Sequence, residues 1–592
     1  MAKKKSVNLK YKIFPFLEWL PMLRDINVLR ADIIAGLTVA LVLIPQSMAY
    51  AQLAGLPAYF GLYIAFMPVM IAALWGSSKQ LATGPVAVVS LMSATALATI
   101  AGGIALDNPD PDIVSRYIAL AMFLTLIVGL FQFCLGFFKL GVIVNFLSHP
   151  VIVGFTNAAA LVIGLSQLSK IFGVSMPGAA GDHFLTVRIW GVLQQLGDTH
   201  MLTFAMGMGA FAVMFLMKKY TPKIPGVLVA VVATTLISYF IGYKERGGSV
   251  VGEIPEGLPE FAVPAFNVGD FWALLPSAII ISLVGFMEAI SIAKAMAAKT
   301  KDRIDPNQEL IGQGVGNIVG SFFQSYPSSG SFSRSAVNLN AGAVTGFSSV
   351  VTAMIVLVTL LFLTPLLYHL PKAVLAAVIM MAVFGLINFS AIKHAWRANV
   401  HDGIASIVTF ICTLGFAPHL DKGILIGAGL SLGLYLYRTM KPRVAMLGRY
   451  PDGTLRDLQV NPDLLRDEEV VVLRFDGSLY FANVSYFEDT ILEAVSENQN
   501  AKYILIVGDG INQLDASGEE VVHHLIERLS SNDITLVFSG LKKQILDVMR
   551  CTYLFEKLGQ ENFFATENMA LVDIYKRLGK EGKDAVLLPN PA

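Results

Sequence analysis

Between Ile33 and Ser78 the chain carries no Asp, Glu, Lys, Arg or His. A run of that length is enough for two membrane-crossing helices at roughly 20 residues each, joined by a turn at Ala54-Gly55-Leu56-Pro57. Further charge-poor runs follow at 84–104, 117–138, 149–169, 199–217, 224–243, 271–293, 306–324, 345–366, 373–392, 403–418 and 423–438. With a shorter, more polar segment at 331–342, the expected count is fourteen spans. The whole chain of 592 residues is 55% hydrophobic and 15% charged, whereas soluble domains run near a quarter charged. That excludes a disordered protein and a small disulfide scaffold.

Charge is divided unevenly along the chain. Lys+Arg and Asp+Glu are equal at 43 each, yet from Arg443 onward there are 15 basic and 24 acidic residues, leaving 28 and 19 before it. Neither part has the concentrated basic surface that a nucleic-acid partner requires. In the membrane part, the positive-inside rule places Lys3, Lys4, Lys5, Lys10 and Lys12 in the cytoplasm. Fourteen spans then bring four later clusters to the same side: Lys218, Lys219 and Lys223; Lys294, Lys299, Lys301 and Arg303; Lys393 and Arg397; and Arg438, Lys441 and Arg443. Both termini are therefore expected inside a multi-pass cell (inner) membrane protein. The three cysteines (Cys134, Cys412, Cys551) are scattered and not at metal spacing, so no disulfide framework, metal site or cofactor is implied.

Polar groups at membrane depth are costly, about 2.5–3.5 kcal/mol for Asp, Lys or Arg at a helix centre. Within the spans, Glu288 and Arg334 stand out as charges well inside. Pro45-Gln46-Ser47 is expected to interrupt the first span, and Thr83-Gly84-Pro85 to open the third. The run from Tyr326 to Ser335 has five serines and a glycine, untenable against lipid but suited to a polar cavity. Gln46 to Pro85 is an interval of 39 residues, and Glu288 to Pro327 is another, as two homologous halves of seven spans would produce. An odd number of spans inverts the second half, and broken segments at matching places mark a transporter's midplane site. Half-helices beginning near Gly84 and near Ser331 would turn their free N–H groups toward a small anion. Arg334 would add positive potential, and Gln46 and the serines neutral donors.

Each residue also has a structural reading. Glu288 could simply be a buried ion-pair partner of Arg334; its sharper role is a proton-titrating coupling group. Gln46 could join helices by a hydrogen bond, and the small residues of 326–335 could pack helices closely.

At these residues the chain resembles the sulfate permease (SulP) family of anion transporters. The matching pieces are Asp32-Ile33-Ile34-Ala35-Gly36-Leu37-Thr38 with Pro45-Gln46, Pro57-Ala58-Tyr59-Phe60-Gly61-Leu62-Tyr63, Thr83-Gly84-Pro85, Asn307-Gln308-Glu309-Leu310 with Gly312 and Gly314, and Ser333-Arg334-Ser335. The resemblance implies a polytopic α-helical fold of about 14 helices in a seven-plus-seven inverted repeat. It further implies a core domain moving against a gate domain in an elevator-like way, and a homodimer. It assigns the anion site to Gln46, to Gly84, Pro85 and Val86, and to Phe332, Ser333 and Arg334, with Glu288 as the proton-coupling acid.

From Glu469 the pattern changes. Val470–Phe475, Tyr503–Val507 and Thr535–Phe538 are β-branched runs, with helical segments near 484–497, 517–530, 540–550 and 568–578. Alternation of this kind predicts an α/β domain, and its order resembles a STAS domain. The turn Asp515-Ala516-Ser517-Gly518 matches the loop phosphorylated in anti-sigma-factor antagonists, which makes Ser517 a regulatory candidate. As a helix N-cap it is equally well explained. The expected organisation is 1–30 cytoplasmic, 31–442 transmembrane, 443–468 linker, 469–580 STAS and 581–592 tail.

The leading functional expectation is secondary active transport of a small anion, proton-coupled sulfate uptake first. Bicarbonate or a dicarboxylate as substrate, and Na+ as coupling ion, remain open. A passive channel is the second class. No nucleophile–base pair or nucleotide loop supports an enzyme, and Ser333-Arg334 and the tail disfavour a nucleobase carrier.

Overall fold

A computed structural model describes residues 9–106, 110–142, 148–174, 185–221, 225–255, 257–417 and 419–588. The chain divides into two compact units, Met1–Ser431 and Leu432–Ala592. Lys3, Lys4, Lys5 and Lys223 of the charge argument, and 589–592 of the tail, lie outside the described residues.

Each of the fourteen expected segments contains helix. Six carry the argument: α1 (Ile26–Leu53), α2 (Ala87–Ala101), α3 (Pro111–Phe137), α4 (Val268–Thr300), α5 (Pro306–Ser321) and α6 (Phe332–Asn340). The other segments hold Phe60–Ile64 with Met67–Trp75, His149–Ser166, Met201–Tyr220, Gly226–Phe240, Phe347–Val358, Lys372–Phe384, Val400–Gly415 and Leu420–Met440. Among the described residues, 7 helices are long and apolar enough to cross a membrane, and shorter apolar helices accompany them.

The expected interruption at Pro45-Gln46-Ser47 does not occur, because α1 runs through Pro45 without a break. A proline removes one N–H and leaves the helix intact where neighbouring helices support it. One neighbour is very close: a Cβ added to Gly61 would lie 2.1 Å from the Ser47 carbonyl oxygen.

Helices α3 and α5 meet backbone to backbone. A Cβ on Gly129 would fall 2.6 Å from the Ile318 nitrogen, one on Gly136 2.6 Å from the Asn307 oxygen, and one on Gly314 2.5 Å from the Phe133 nitrogen. Lipid is as apolar as leucine, so such helices gain by close van der Waals approach, and only small residues permit it.

The second unit is a six-stranded sheet in the order β4-β3-β5-β6-β7-β8: β3 Val444–Arg449, β4 Leu455–Asp457, β5 Val470–Phe475, β6 Tyr503–Val507, β7 Thr535–Ser539 and β8 Phe563–Phe564. Strands β5 to β8 are parallel, and β3 and β4 antiparallel. The period-two alternation of a strand divides the core. Val471, Leu473 and Phe475 pack with α7 (Val484–Glu497), α8 (Ala516–Ser530) and α9 (Lys543–Cys551), while Val470 and Val472 pack with α10 (Glu567–Leu578) on the other face. The expected linker 443–468 contains two strands of this sheet. Its residues form β3 and β4, because Ala445 and Leu447 complete the core under α10. The domain therefore begins well before Glu469.

Glu469, at the start of β5, accepts from Lys502 at 2.6 Å and pairs with Lys580. These two ammonium groups hold its carboxyl at about 2, well below the usual carboxylate range. A depressed pKa stabilises the fold above the unfolded value near 4.3 and loses that contribution as pH falls toward the folded value. Pepsin digestion of the full chain between pH 4.5 and 2 should therefore open this unit gradually in the wild type. Glu469→Gln should already be sensitive at pH 4.5, and equal sensitivity of the two proteins would contradict the assignment.

Candidate anion-binding site

The site is built around two very short strands. β1 (Thr83–Gly84) and β2 (Ser329–Gly330) pair antiparallel, Thr83 opposite Gly330 and Gly84 opposite Ser329. Each leads within three residues into a helix, α2 at Ala87 and α6 at Phe332. Neither cap residue, Val86 or Ser331, caps a backbone N–H of the first turn with its side chain; Ser331 Oγ instead meets Ser333 Oγ at 3.4 Å. The leading N–H groups of two helices thus open beside one ladder, a geometry that favours negative charge.

Arg334 occupies the first turn of α6 and is fully buried. Its Nη1 donates to Gln46 Oε1 at 3.1 Å and its Nη2 to the Pro85 carbonyl at 2.9 Å. Nε has no partner. Gly84 makes this approach possible, with φ at +144°, where a Cβ would stand 3.2 Å from Nη2. Because Gln46 spends its oxygen on the arginine, its NH2 stays unengaged by any described residue and available to a ligand. Phe332 and Ser333 stand exposed on the same turn, Phe332 at 57%. Gln46, Gly84, Pro85, Val86, Phe332, Ser333 and Arg334 are therefore gathered around one locus.

Glu288 reaches this locus from α4. β2 lies against that helix: Ser329 Oγ donates to the Gly285 carbonyl at 2.6 Å, and a Cβ on Gly330 would meet Ala289 at 2.9 Å. Glu288 follows Gly285 by three residues and is half-buried. Among the described residues it makes no ion pair with Arg334, so the structural-pair reading fails. The two are still near enough for their charges to interact, as are Tyr50 and Tyr326 with the guanidinium.

The matched 39-residue interval does not survive. Counted from the ladder, Thr83 follows Gln46 by 37 residues, whereas Ser329 follows Glu288 by 41. Glu288 is thus offset by about one helical turn from the position equivalent to Gln46. Proline was the misleading landmark, since Pro85 follows its strand and Pro327 precedes its own.

Several residues of the site escape sequence reasoning. Asn317 on α5 accepts from the N–H and Oγ of Ser328 at 2.9 and 2.8 Å and donates to Gln132 on α3 at 2.9 Å. The Ala82 N–H donates to Ser335 Oγ at 2.8 Å, and the Ser331 N–H to the Ala82 carbonyl at 3.0 Å. Asp32 and Glu309 are buried carboxylates as well, at 0% and 2% exposure. For Gln132 and Asn317 the available signal was an isolated amide inside an apolar span, and for Asp32 and Glu309 an acid at the edge of one. In the second unit, Asp515 caps α8, accepting from the Gly518 N–H at 2.9 Å, so Ser517 is not the N-cap and sits half-buried in the first turn.

Helices broken at paired polar strands, with uncapped N-termini around a buried cation, define a multi-pass membrane protein of carrier architecture. Residues 29–409 match the sulfate permease family and residues 461–570 the STAS domain. The chain belongs to the sulfate permease family and carries a C-terminal STAS domain. It is 35% identical over 569 residues to the chloroplastic sulfate transporter 4.1 of Arabidopsis thaliana, covering 93% of this chain and 81% of that protein. Its fold is similar to the solved structure of SLC26A9, with a TM-score of 0.88 at 22% identity over 96% of this chain and 94% of that one. It also resembles the transmembrane domain of a cyanobacterium bicarbonate transporter, BicA, with a TM-score of 0.57 at 24% identity over 68% and 97%.

Gln46→Glu tests the site directly. A carboxylate beside Arg334 satisfies the guanidinium but cancels its field, so the purified protein should melt no lower than wild type while any sulfate-induced rise in melting temperature disappears. A rise retained in the variant would mean that the Arg334 charge is not what holds the anion.

Proposed function

We propose that this protein is a secondary active transporter that takes up sulfate with protons by an elevator-like movement. The observation that carries this reading is Arg334, a buried cation held, among the described residues, by the neutral oxygens of Gln46 and Pro85. A divalent oxyanion between α2 and α6 would complete that charge. It would accept from the Gln46 amide, from N–H groups near Gly84, Pro85 and Val86, and from the first turn at Phe332, Ser333 and Arg334. Sulfate as substrate follows the sulfate transporters to which the chain is similar.

Glu288 supplies the coupling in this reading. It makes no hydrogen bond or ion pair among the described residues, and it stands within electrostatic reach of Arg334. An arriving anion offsets the arginine's charge and makes protonation of the carboxyl easier, so anion and proton are bound together. The protein would act as a homodimer in the cell (inner) membrane with both termini in the cytoplasm. Ser517 is the regulatory candidate of the STAS domain, and phosphopeptide mass spectrometry of the purified chain decides whether it carries phosphate.

Labelled sulfate uptake into proteoliposomes, with and without an inward pH gradient, tests the proposal in wild type and Glu288→Gln. Gradient-driven uptake in wild type that becomes gradient-independent in the variant is the expected result. Uptake driven by Na+ instead would replace the coupling ion. No sulfate uptake under any gradient would transfer the assignment to bicarbonate or dicarboxylates, and flux without trans-stimulation would mark a channel.

A further inference from the structure

Two buried carboxylates of the first unit take no part in the proposed transport chemistry, and their hydrogen bonds form a reciprocal pattern. Asp32, on the first helix of the first half, accepts from the Val344 N–H at 2.7 Å, the Thr345 N–H at 3.1 Å and Thr345 Oγ1 at 2.5 Å. Those residues lie just after α6, in the second half. Glu309, on α5 in the second half, accepts from the Ser77 N–H at 2.9 Å, Ser77 Oγ at 3.0 Å and the Ser78 N–H at 3.0 Å. Those residues precede β1, in the first half. Each half thus sends one acid to grip the backbone beside the other half's broken helix.

Between the two grips, the extended segment 77–84 is tied along its length to α6 and the turn at its C-terminal end. Gln80 Nε2 donates to the Ala343 carbonyl at 3.4 Å, Asn338 Nδ2 to the Gln80 carbonyl at 3.2 Å, and the Ala82 N–H to Ser335 Oγ at 2.8 Å. Lys79 and Asp302 pair at 3.0 Å at its start. The segment ends at Gly84 and Pro85, whose carbonyl holds Arg334.

We infer that Asp32 and Glu309 are positioning residues: a pair of crossed carboxylate clamps that lock the two broken helices into one rigid anion-binding piece. Burying a carboxylate is costly unless its lone pairs are met, and here each takes three donors, two of them backbone N–H groups. An amide at either place turns an NH2 toward those donors or loses an acceptor. Segment 77–84 then loosens, and Gly84 and Pro85 no longer hold Arg334 in register with the uncapped turn of α2. Hydrogen bonds to charged groups are among the stronger ones, and the affinity lost at the site should be about tenfold.

The substrate part of this inference rests on the proposed sulfate transport, and the test separates the two. Hydrogen exchange is measured on the full chain in detergent for wild type, Glu309→Gln, Asp32→Asn and the milder Ser77→Ala, without any anion. Glu309→Gln and Ser77→Ala should speed exchange in 77–86 and leave helices remote from it, such as Met201–Tyr220, unchanged; Asp32→Asn should do the same at 343–347. Sulfate uptake kinetics then complete the test. The expected outcome is a KM about tenfold higher for Glu309→Gln, a smaller rise for Ser77→Ala, and Vmax per folded protein within twofold. Unchanged exchange in the clamped segments, or a loss of Vmax with KM intact, would overturn the inference and leave the acids as general fold supports. If wild type takes up no sulfate, the transport proposal fails while the exchange result still decides the clamps. If Glu309→Gln fails to fold, Ser77→Ala carries the decision alone.

Discussion

Arg334 is the constraint around which the membrane unit is arranged. A guanidinium removed from water costs several kcal/mol even after relaxation, and here it is met by two neutral oxygens, with Nε left bare. No carboxylate stands within ion-pair distance among the described residues. The charge is therefore stabilised enough to persist but not cancelled, and its field remains for a ligand. The glycine at 84, the unspent amide of Gln46 and the two helix starts without a side-chain cap are what the proposed anion site would need.

The surrounding helices convert this local chemistry into a fixed geometry by close approach. α3 and α5 touch through Gly129, Gly136 and Gly314, and β2 lies on α4 through Gly330. Polar cross-links by Asn317, Ser335 and Ser329 hold the extended segments against helices where lipid could not satisfy their backbone. Extended backbone at that depth is tolerable where its groups find protein partners, as the Ala82 N–H finds Ser335, the Ser328 N–H finds Asn317 and the Gln80 carbonyl finds Asn338. The STAS unit follows different physics, with a mixed sheet whose four parallel strands are covered on both faces and a core divided by strand alternation.

Much of this molecule is legible in its residues because lipid is a solvent that punishes error. It tolerates few charges, so the fourteen segments, the polar run 326–335 and the exceptional standing of Glu288 and Arg334 can be read without coordinates. The β-branched runs of the STAS domain are equally plain, because strand and helix periods differ. Landmarks taken from single residues fare worse. Pro45 breaks nothing, Pro327 lies on the other side of its strand from Pro85, and the cap of α8 belongs to Asp515 rather than Ser517. Residues 443–468 read as linker because β3 and β4 are short and interrupted by polar turns.

Which groups meet is another matter, and it is settled by packing. That Arg334 goes to Gln46 and Pro85 rather than to Glu288 depends on contacts between residues 288 and 249 positions apart, and local pattern carries no information about such partners. The same holds for Asp32 and Glu309, which look like ordinary helix-end acids until the loops that they grip come from the other half of the chain. Hydrophobic periodicity reflects each segment's own meeting with lipid or core, so it is written into the segment. Pairing depends on how the segments come together, and the candidate site consists of pairings.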